Sequence, residues 1–190
     1  MVMKESEQTL ERGDVAPDFR LPGTDDAEHA LGDFADHEAL LLVFTCNHCP
    51  YAKAKFETLN AIAADYDEVA VVGINPNDAE EYPDDSFDQM KELVADGTID
   101  YDAYLRDESQ EVARTYGAVC TPDPFLFSVE DGSFLLEYHG RLDDATNPDE
   151  DPSGEPGFEM REVIDTVLSG GPVEREAKPS RGCSIKWKDE

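Results

Sequence analysis

Two short apolar runs with a helical stretch between them constrain the fold of this chain more than any other feature. Residues 39–44 and 69–74 are continuous and apolar, which is typical of strands buried on both faces. Between the runs, apolar residues recur along one helix face, at Ala52, Phe56, Leu59, Ala63 and Tyr66. Strands that alternate with helices in this way predict an α/β fold.

The later patterns extend this architecture. Further helices are predicted over residues 86–96, 107–117 and 158–168, because glycines follow or end each periodic stretch. Further strands are predicted over residues 103–105, 125–128 and 133–138. A Glu130-Asp131-Gly132 turn joins the last two strands into a hairpin. The expected fold class is α/β, with a central mixed sheet flanked by helices.

Three segments of different character divide the chain. Residues 1–13 are polar and are predicted to be a loosely packed N-terminal arm, whereas residues 14–172 carry the α/β pattern. Residues 173–190 form a tail with five of the 15 basic residues and four acids. In the tail, Cys183, Ile185 and Trp187 alternate like a strand with one apolar face, so we expect it to dock onto the acidic body.

The charge of the chain narrows the choice of partners. It carries 45 acidic and 15 basic residues, a net charge of −30. Nucleic acid and anionic membrane surfaces are therefore excluded as partners. The N-terminus lacks the pattern of a signal peptide, and no apolar run approaches the roughly 20 residues needed to span a bilayer. We expect a cytoplasmic protein in a high-salt cytosol, since salt screens the self-repulsion of the acidic surface.

A Cys-x-x-Cys stands where the first strand meets the first helix. Cys46 and Cys49 lie between an apolar strand and Pro50, which suits a first helical turn. Helix amides and the helix dipole stabilise an anion at such a place, so we expect a lowered cysteine pKa and a nucleophilic sulfur. Four cysteines are too few for a disulfide scaffold of this size. A dithiol–disulfide redox site is the resulting hypothesis.

Each residue of this site has a predicted role. Cys46 is the attacking thiolate, more exposed than Cys49, and Cys49 resolves the mixed disulfide. A protonated His48 between them would stabilise the Cys46 thiolate. His29, His37 and His139 have no such placement and are predicted to lie at the surface.

A metal site is an alternative interpretation of the same residues. Cys46, His48, Cys49 and a third cysteine are ligand types that zinc accepts. Structural zinc sites usually pair two such motifs, and the sequence contains no second Cys-x-x-Cys. The prediction is therefore a site without metal or organic cofactor.

Three motifs together resemble one protein family. They are Phe44-Thr45-Cys46-Asn47-His48-Cys49-Pro50, Tyr116-Gly117-Ala118-Val119-Cys120-Thr121-Pro122 and Gly182-Cys183-Ser184-Ile185-Lys186-Trp187. Together with residues 16–21 (Ala-Pro-Asp-Phe-Arg-Leu), they resemble the thioredoxin superfamily. Within it they resemble the redoxin branch, which includes alkyl hydroperoxide reductase and thiol-specific antioxidant proteins. More narrowly, they resemble a peroxiredoxin-like subgroup of that branch. The resemblance runs from about residue 13 to residue 188.

The resemblance implies a thioredoxin-like fold and further site residues. It implies that Pro122, after Thr121, is a cis-proline that faces the dithiol and presents backbone to an extended substrate. Thr45 stands where thioredoxin has Trp. Cys120 would then lie near the dithiol, and two alternatives remain open for it: a second, relay disulfide with Cys183, or two unrelated thiols.

The predicted function is thiol–disulfide oxidation and reduction by an enzyme of the redoxin type. The partners would be a protein thiol or disulfide, or a small peroxide, and a reductase as electron donor. An alternative is a peroxiredoxin-like peroxidase, although neither Cys46 nor Cys49 is preceded by the Pro-x-x-x-Thr-x-x-Cys pattern of peroxiredoxins. A module that uses the same cysteines to bind a metal or a partner is the third hypothesis.

Overall fold

The computed structural model describes residues 2–189 and is built around one five-stranded sheet. The strands of the described chain are β1 (Met3–Glu5), β2 (Arg20–Pro22), β3 (Glu28–Ala30), β4 (Ala39–Phe44), β5 (Val69–Asn75), β6 (Ala103–Arg106), β7 (Cys120–Thr121), β8 (Asp123–Glu130), β9 (Ser133–His139) and β10 (Arg181–Ser184). Its α-helices are α1 (Pro50–Lys53), α2 (Phe56–Asp65), α3 (Phe87–Ala95), α4 (Glu111–Tyr116) and α5 (Phe158–Leu168).

The central sheet is mixed, as predicted. Its strand order is β6-β5-β4-β8-β9, with β4 parallel to β5 and antiparallel to β8. The outer strand β6 runs parallel to β5, and β9 closes a hairpin with β8. In the hairpin turn, Asp131 and Gly132 both have positive φ, 50° and 79°, as the tight turn predicted from Asp-Gly requires.

Alternation along β4 builds a core on each face of the sheet. Leu40, Leu42 and Phe44 pack into one apolar cluster, whereas Leu41 and Val43 pack into another. Successive side chains of a strand point to opposite faces, so a continuous apolar run is required where both faces are covered. All six residues of β4 are fully buried, and this central strand delivers the chain directly to Cys46.

One predicted helix is interrupted. The apolar periodicity predicts a single helix from Pro50, but α1 ends at Lys53 and α2 begins at Phe56. The break lies at Lys55, whose ammonium nitrogen is 2.6 Å from a carboxylate oxygen of the buried Asp143. The partner of Lys55 lies in a loop far along the chain, so the apolar periodicity of the helix alone does not predict where the helix is interrupted.

The predicted N-terminal arm contains a short strand, β1, that the sequence analysis did not predict, and its residues are exposed. Strands β1 and β7 flank β10 in a separate three-stranded sheet, in which Met3 is paired with Cys183. Residues 14–21 form little regular strand: Val15 makes one isolated bridge to Leu135, and β2 begins only at Arg20. Met3 and Val15 pair with residues more than 100 positions away, beyond the range of a local sequence pattern.

The C-terminal tail docks onto the body, as its apolar alternation predicted. Ile185 joins an apolar cluster of the central sheet, and its N–H donates to the carbonyl oxygen of Val119 at 3.0 Å. The guanidinium of Arg114 lies 4.3 Å from the centre of the Trp187 ring. Among residues 2–189, every helix is too short or too polar to cross a lipid bilayer.

Candidate functional site

The junction between β4 and α1 holds the Cys-x-x-Cys, as predicted. The Thr45 N–H donates to the carbonyl oxygen of Ile74 at 2.8 Å, which anchors the segment to β5 as it leaves the sheet. Cys49 is the N-cap of α1 and Pro50 is its first residue. Proline suits this position because its missing N–H would have no partner inside the helix.

Among the described residues, one disulfide is present, and it joins Cys49 to Cys183 with their Cα atoms 6.3 Å apart. Within the same residues, Cys46 and Cys120 are free thiols, and both are buried. Of the two alternatives left open for Cys120, the relay disulfide with Cys183 is therefore not the one formed. In the ladder of β10 and β7, Cys183 is opposite Thr121 and Cys120 is opposite Ser184. Neighbouring residues of a strand face opposite sides, so Cys120 points away from the side on which Cys183 meets Cys49.

The Thr121-Pro122 loop faces the dithiol. The peptide bond between these residues is cis, as the resemblance implied. Thr121 Oγ1 lies 3.3 Å from Cys46 Sγ, and the Thr121 carbonyl oxygen lies 3.7 Å from Cys49 Sγ. One residue of the loop therefore contacts both sulfurs. Cys120 donates instead to the Pro122 carbonyl oxygen, at 3.9 Å.

The prediction of an exposed Cys46 with a lowered pKa is wrong for this state. Cys46 is fully buried and Cys49 is nearly so, in an apolar cluster that also contains Cys183. Burial is the largest influence on Cys46 and raises the pKa of its thiol to about 12, and the nearby Asp85 carboxylate adds to the rise. Hydrogen bonds from the His48 and Cys49 amides act in the predicted direction, but they are outweighed.

Asp85 is a site residue that the sequence analysis missed. It ends the 3₁₀ turn Pro83–Asp85, is fully buried, and has a carboxylate oxygen 2.5 Å from His48 Nδ1. The same carboxylate accepts from the Asn47 N–H at 2.7 Å and from the Asn77 side-chain amide at 2.9 Å. Its signal was weak, because Asp85 stands in a run of surface-like acids 39 positions after Cys46.

The surroundings of His48 combine an aromatic ring and a cation. The Tyr82 ring stacks on the imidazole with centroids 5.7 Å apart. Lys186 of the tail lies over the same Tyr82 ring, with its ammonium nitrogen 5.8 Å from the ring centroid. Burial lowers the pKa of Lys186, while Cys46 and Asp85 act in the opposite direction. The basic tail therefore contributes the Lys186 ammonium, which interacts electrostatically with Cys46 and Asp85.

A cleft opens next to the site. Its volume is about 810 Å³, and Asn47 and His48 form part of its wall together with Phe56, Asp84 and Leu93. The cleft gives His48 contact with solvent, although Cys46 and Cys49 are covered.

The prediction that His139 lies at the surface is also wrong. His139 is buried, and its Nε2 lies 2.6 Å from a carboxylate oxygen of the fully buried Asp123, the residue after Pro122. The imidazole stacks on Phe125 with ring centroids 3.8 Å apart. Burial raises the pKa of Asp123, and the contact with His139 opposes that rise. His29 and His37 are half-buried.

The sequence and the fold of this chain are similar to those of known proteins. The family model described as AhpC/TSA family matches residues 12–143. A crystal structure of an uncharacterized conserved protein from Geobacillus kaustophilus is 39% identical, covers 100% of this chain and 98% of its own, and superposes with a TM-score of 0.91.

Two further relatives carry names. The "Putative peroxiredoxin bcp" of Helicobacter pylori (strain ATCC 700392 / 26695) is 29% identical over 113 residues, which are 58% of this chain and 68% of that protein. The "putative Thiol:disulfide interchange protein DsbE" of Chlorobium tepidum is 23% identical and covers 84% of this chain and 99% of its own, with a TM-score of 0.63. At that identity the likeness concerns the fold, which is thioredoxin-like. Because the family match spans more than half of its residues, this chain belongs to the AhpC/TSA family.

Proposed function

We propose that the protein is a thiol–disulfide oxidoreductase of the redoxin type that uses Cys46, Cys49 and Cys183 as exchanging sulfurs. One observation carries the proposal: Thr121 contacts both the free thiol of Cys46 and the Cys49 sulfur of the Cys49–Cys183 disulfide. A thiol that packs beside a disulfide is the starting arrangement for exchange.

The proposed exchange needs no outside oxidant. The Cys46 thiolate attacks Cys49 Sγ, so that a Cys46–Cys49 bond forms and the Cys49–Cys183 bond breaks. Cys183 leaves as a thiolate and takes up a proton equivalent to the one that Cys46 lost. The protein holds one disulfide before and after this step. The exchange therefore transfers the disulfide from the Cys49–Cys183 pair to the Cys46–Cys49 pair without changing the redox state of the protein.

Turnover on a substrate requires the Cys46–Cys49 form. A thiolate of a protein dithiol attacks this disulfide, and a second substrate thiolate then resolves the mixed disulfide. The substrate is oxidised and Cys46 and Cys49 return as a dithiol. In the reverse direction the dithiol reduces a substrate disulfide, and a reductase restores it.

Access to the sulfurs requires movement of the tail. Cys46, Cys49 and Cys183 are each at most 2% exposed in the disulfide form described above. Release of Cys183 removes the covalent tie between β10 and the α1 segment. Exposure to water then reverses the burial that raises the pKa of Cys46.

The neighbouring residues have supporting roles in this proposal. His48, whose Nδ1 lies beside Asp85, would stabilise the Cys46 thiolate when protonated. Thr45 directly precedes Cys46, and the Thr121 hydroxyl contacts the Cys46 sulfur. Thr121 and Pro122 present backbone to an extended substrate. Cys120 takes no part in the exchange.

The test is an insulin-reduction assay with dithiothreitol as electron donor. Cys46→Ser should abolish catalysed reduction, whereas Cys120→Ser, which removes a buried thiol outside the exchange, should keep it. Disulfide mapping of acid-quenched wild-type protein should recover a Cys46–Cys49 species with a free Cys183. Activity that survives in Cys46→Ser would contradict the proposal.

A peroxidase is the second candidate function, because the family match and the named Helicobacter pylori relative support it. Once Cys183 has been reduced off Cys49, a peroxide would oxidise the Cys46 thiolate to a sulfenic acid and leave as water or an alcohol. The free Cys49 thiol would then attack the sulfenic acid, forming a Cys46–Cys49 disulfide and releasing water. Peroxide consumption that recycles with a thiol donor and depends on Cys46 would favour this candidate over the first. For either function we propose a cytoplasmic location, a reductase as donor, and no nucleic acid or membrane partner, in keeping with the net charge of −30.

A further inference from the structure

Three different ligand types converge at one buried point beside the cleft. Cys46 Sγ, a ring nitrogen of His48 and a carboxylate oxygen of Asp85 all lie within 4.8 Å of one another. Cys46 and His48 come from the junction after β4, and Asp85 comes from the 3₁₀ turn before α3. The disulfide occupies Cys49, so the cluster is complete without the second cysteine of the Cys-x-x-Cys.

The groups behind these three side chains suit anionic ligands. Asp85 accepts hydrogen bonds from the Asn47 N–H and the Asn77 side-chain amide. The Thr121 hydroxyl lies 3.3 Å from Cys46 Sγ and is able to donate to a thiolate. Donors of this kind orient carboxylate and thiolate ligands of metals.

His48 has coordinating capacity that the described residues do not use. Its side chain is 16% exposed, and its Nδ1 lies 2.5 Å from Asp85 Oδ2. Nε2 is inaccessible and has no hydrogen-bond partner within residues 2–189, and the approach of Nδ1 to Asp85 lacks hydrogen-bond geometry. An imidazole held among polar groups without a well-formed hydrogen bond is available as a ligand.

Charge balance points to a divalent cation. A thiolate at Cys46 beside the Asp85 carboxylate would bring two negative charges together in a buried place, which is unfavourable without compensation. One divalent cation with a thiolate, a carboxylate and a neutral imidazole gives a site of zero net charge. The arrangement then needs no further counter-ion.

We propose that Cys46, His48 and Asp85 form a binding site for a zinc-class divalent metal ion. A sulfur, a nitrogen and an oxygen ligand match the preferences of Zn²⁺ or Co²⁺, whereas Mg²⁺ and Ca²⁺ require oxygen ligands. His48 and Asp85 would separate slightly, since ligands on tetrahedral zinc lie about 3.3 Å apart. The fourth position would face the cleft of about 810 Å³, through which the ion enters.

Metal binding would inhibit the proposed thiol–disulfide exchange. A thiolate that is bound to zinc has its lone pair engaged and is not free to attack the Cys49–Cys183 disulfide. The metal site does not depend on the proposed oxidoreductase function, because it uses the disulfide form as it stands.

The experiment is a Co²⁺ titration of the full-length, chelator-treated protein with the Cys49–Cys183 disulfide intact. We expect one Co²⁺ per chain, a sulfur-to-cobalt charge-transfer absorption band, and displacement of Co²⁺ by Zn²⁺. The band matters because an acidic surface also collects cations through oxygen ligands, and those complexes lack a sulfur band.

Variants assign the ligands. Cys46→Ser should abolish the charge-transfer band, and Cys120→Ser should keep it as the matched control. His48→Gln and Asp85→Asn should each weaken Co²⁺ binding by about 100-fold while the thiolate remains, which gives a result even where Cys46→Ser does not fold. Absence of the band in wild type, a band that survives in Cys46→Ser, or unchanged affinity in both other variants would overturn the proposal. None of these readouts depends on catalytic activity.

Discussion

At the scale of single residues, a side chain's neighbours decide what it does, and His139 illustrates this. It ends β9, and both of its neighbours in sequence, Tyr138 and Gly140, are buried, so the surface position predicted for it was wrong. In the fold it is stacked on Phe125, the residue opposite it on β8, and it reaches Asp123 diagonally along the same face. Asp123 is fully buried, so the imidazole is the group that offsets the burial of its carboxyl.

Replacement of His139 by Ala should therefore be costly. The variant loses the stacking on Phe125 and leaves Asp123 buried without that partner, so we expect the free energy of unfolding to fall by about 3 kcal/mol. Urea denaturation monitored by circular dichroism measures the change.

The matched control is His37→Ala, which removes a half-buried imidazole that has no carboxylate partner among the described residues. We expect a change of about 0.5 kcal/mol or less there. Equal losses in the two variants would show that the pair with Asp123 adds no stability.

At the scale of elements, strand β10 connects the tail to the site. It runs between β1 and β7, and its Cys183 lies in the same apolar cluster as Cys46 and Cys49. Gly182 permits this approach, because a Cβ atom there would stand 1.9 Å from the carbonyl oxygen of Thr121. A backbone atom cannot move aside as a flexible side chain would, so glycine is required at this crossing.

Gly182→Ala should lift β10 from β7 and uncover Cys46. We expect the rate of Cys46 alkylation by iodoacetamide in the folded protein to rise about tenfold or more, since labelling of a buried thiol is limited by local opening. Mass spectrometry of the alkylated peptides measures the rate.

Gly32→Ala serves as the comparison, because no described heavy atom outside its own helical turn and its chain neighbours lies within 4 Å of the place its Cβ would take. Its labelling rate should equal that of wild type. If Gly182→Ala labels no faster than Gly32→Ala, β10 does not control access to Cys46.

At the scale of the whole molecule, the net charge of −30 is the dominant property. Some acids are paired, as Glu159 is with Arg141 at 2.8 Å, but 15 bases cannot neutralise 45 acids. The unpaired carboxylates repel one another and favour expansion of the chain. Salt at 0.1 M largely screens the repulsion between exposed charges more than about 10 Å apart, and higher salt shortens that distance.

The melting temperature should therefore rise with salt. Between about 0.1 M and 1 M KCl we expect an increase of several degrees, measured by differential scanning calorimetry. Tetramethylammonium chloride at equal ionic strength should act similarly if screening is the cause, whereas specific cation binding would separate the two salts. A melting temperature that stays constant or falls in KCl would refute the screening argument.

The parts of the fold that the sequence determined by itself are those with short-range causes. The apolar run of β4, the helical spacing of α5 and the Asp131-Gly132 turn were all predicted, because each depends on residues close together in the chain. The Cys-x-x-Cys at the end of β4, the thioredoxin-like fold and the family resemblance follow from the same local motifs.

Tertiary structure decided what those motifs do. Cys183 is bonded to Cys49 rather than Cys120 because strand register places Cys120 on the opposite face of β7, and residue spacing does not reveal that register. Asp85 reaches His48, and Asp123 reaches His139, only after the chain has returned to the central sheet. The sequence by itself thus determined the elements and the reactive residue types, whereas the pairing of sulfurs, charges and ligands was decided by contacts between segments far apart in the chain.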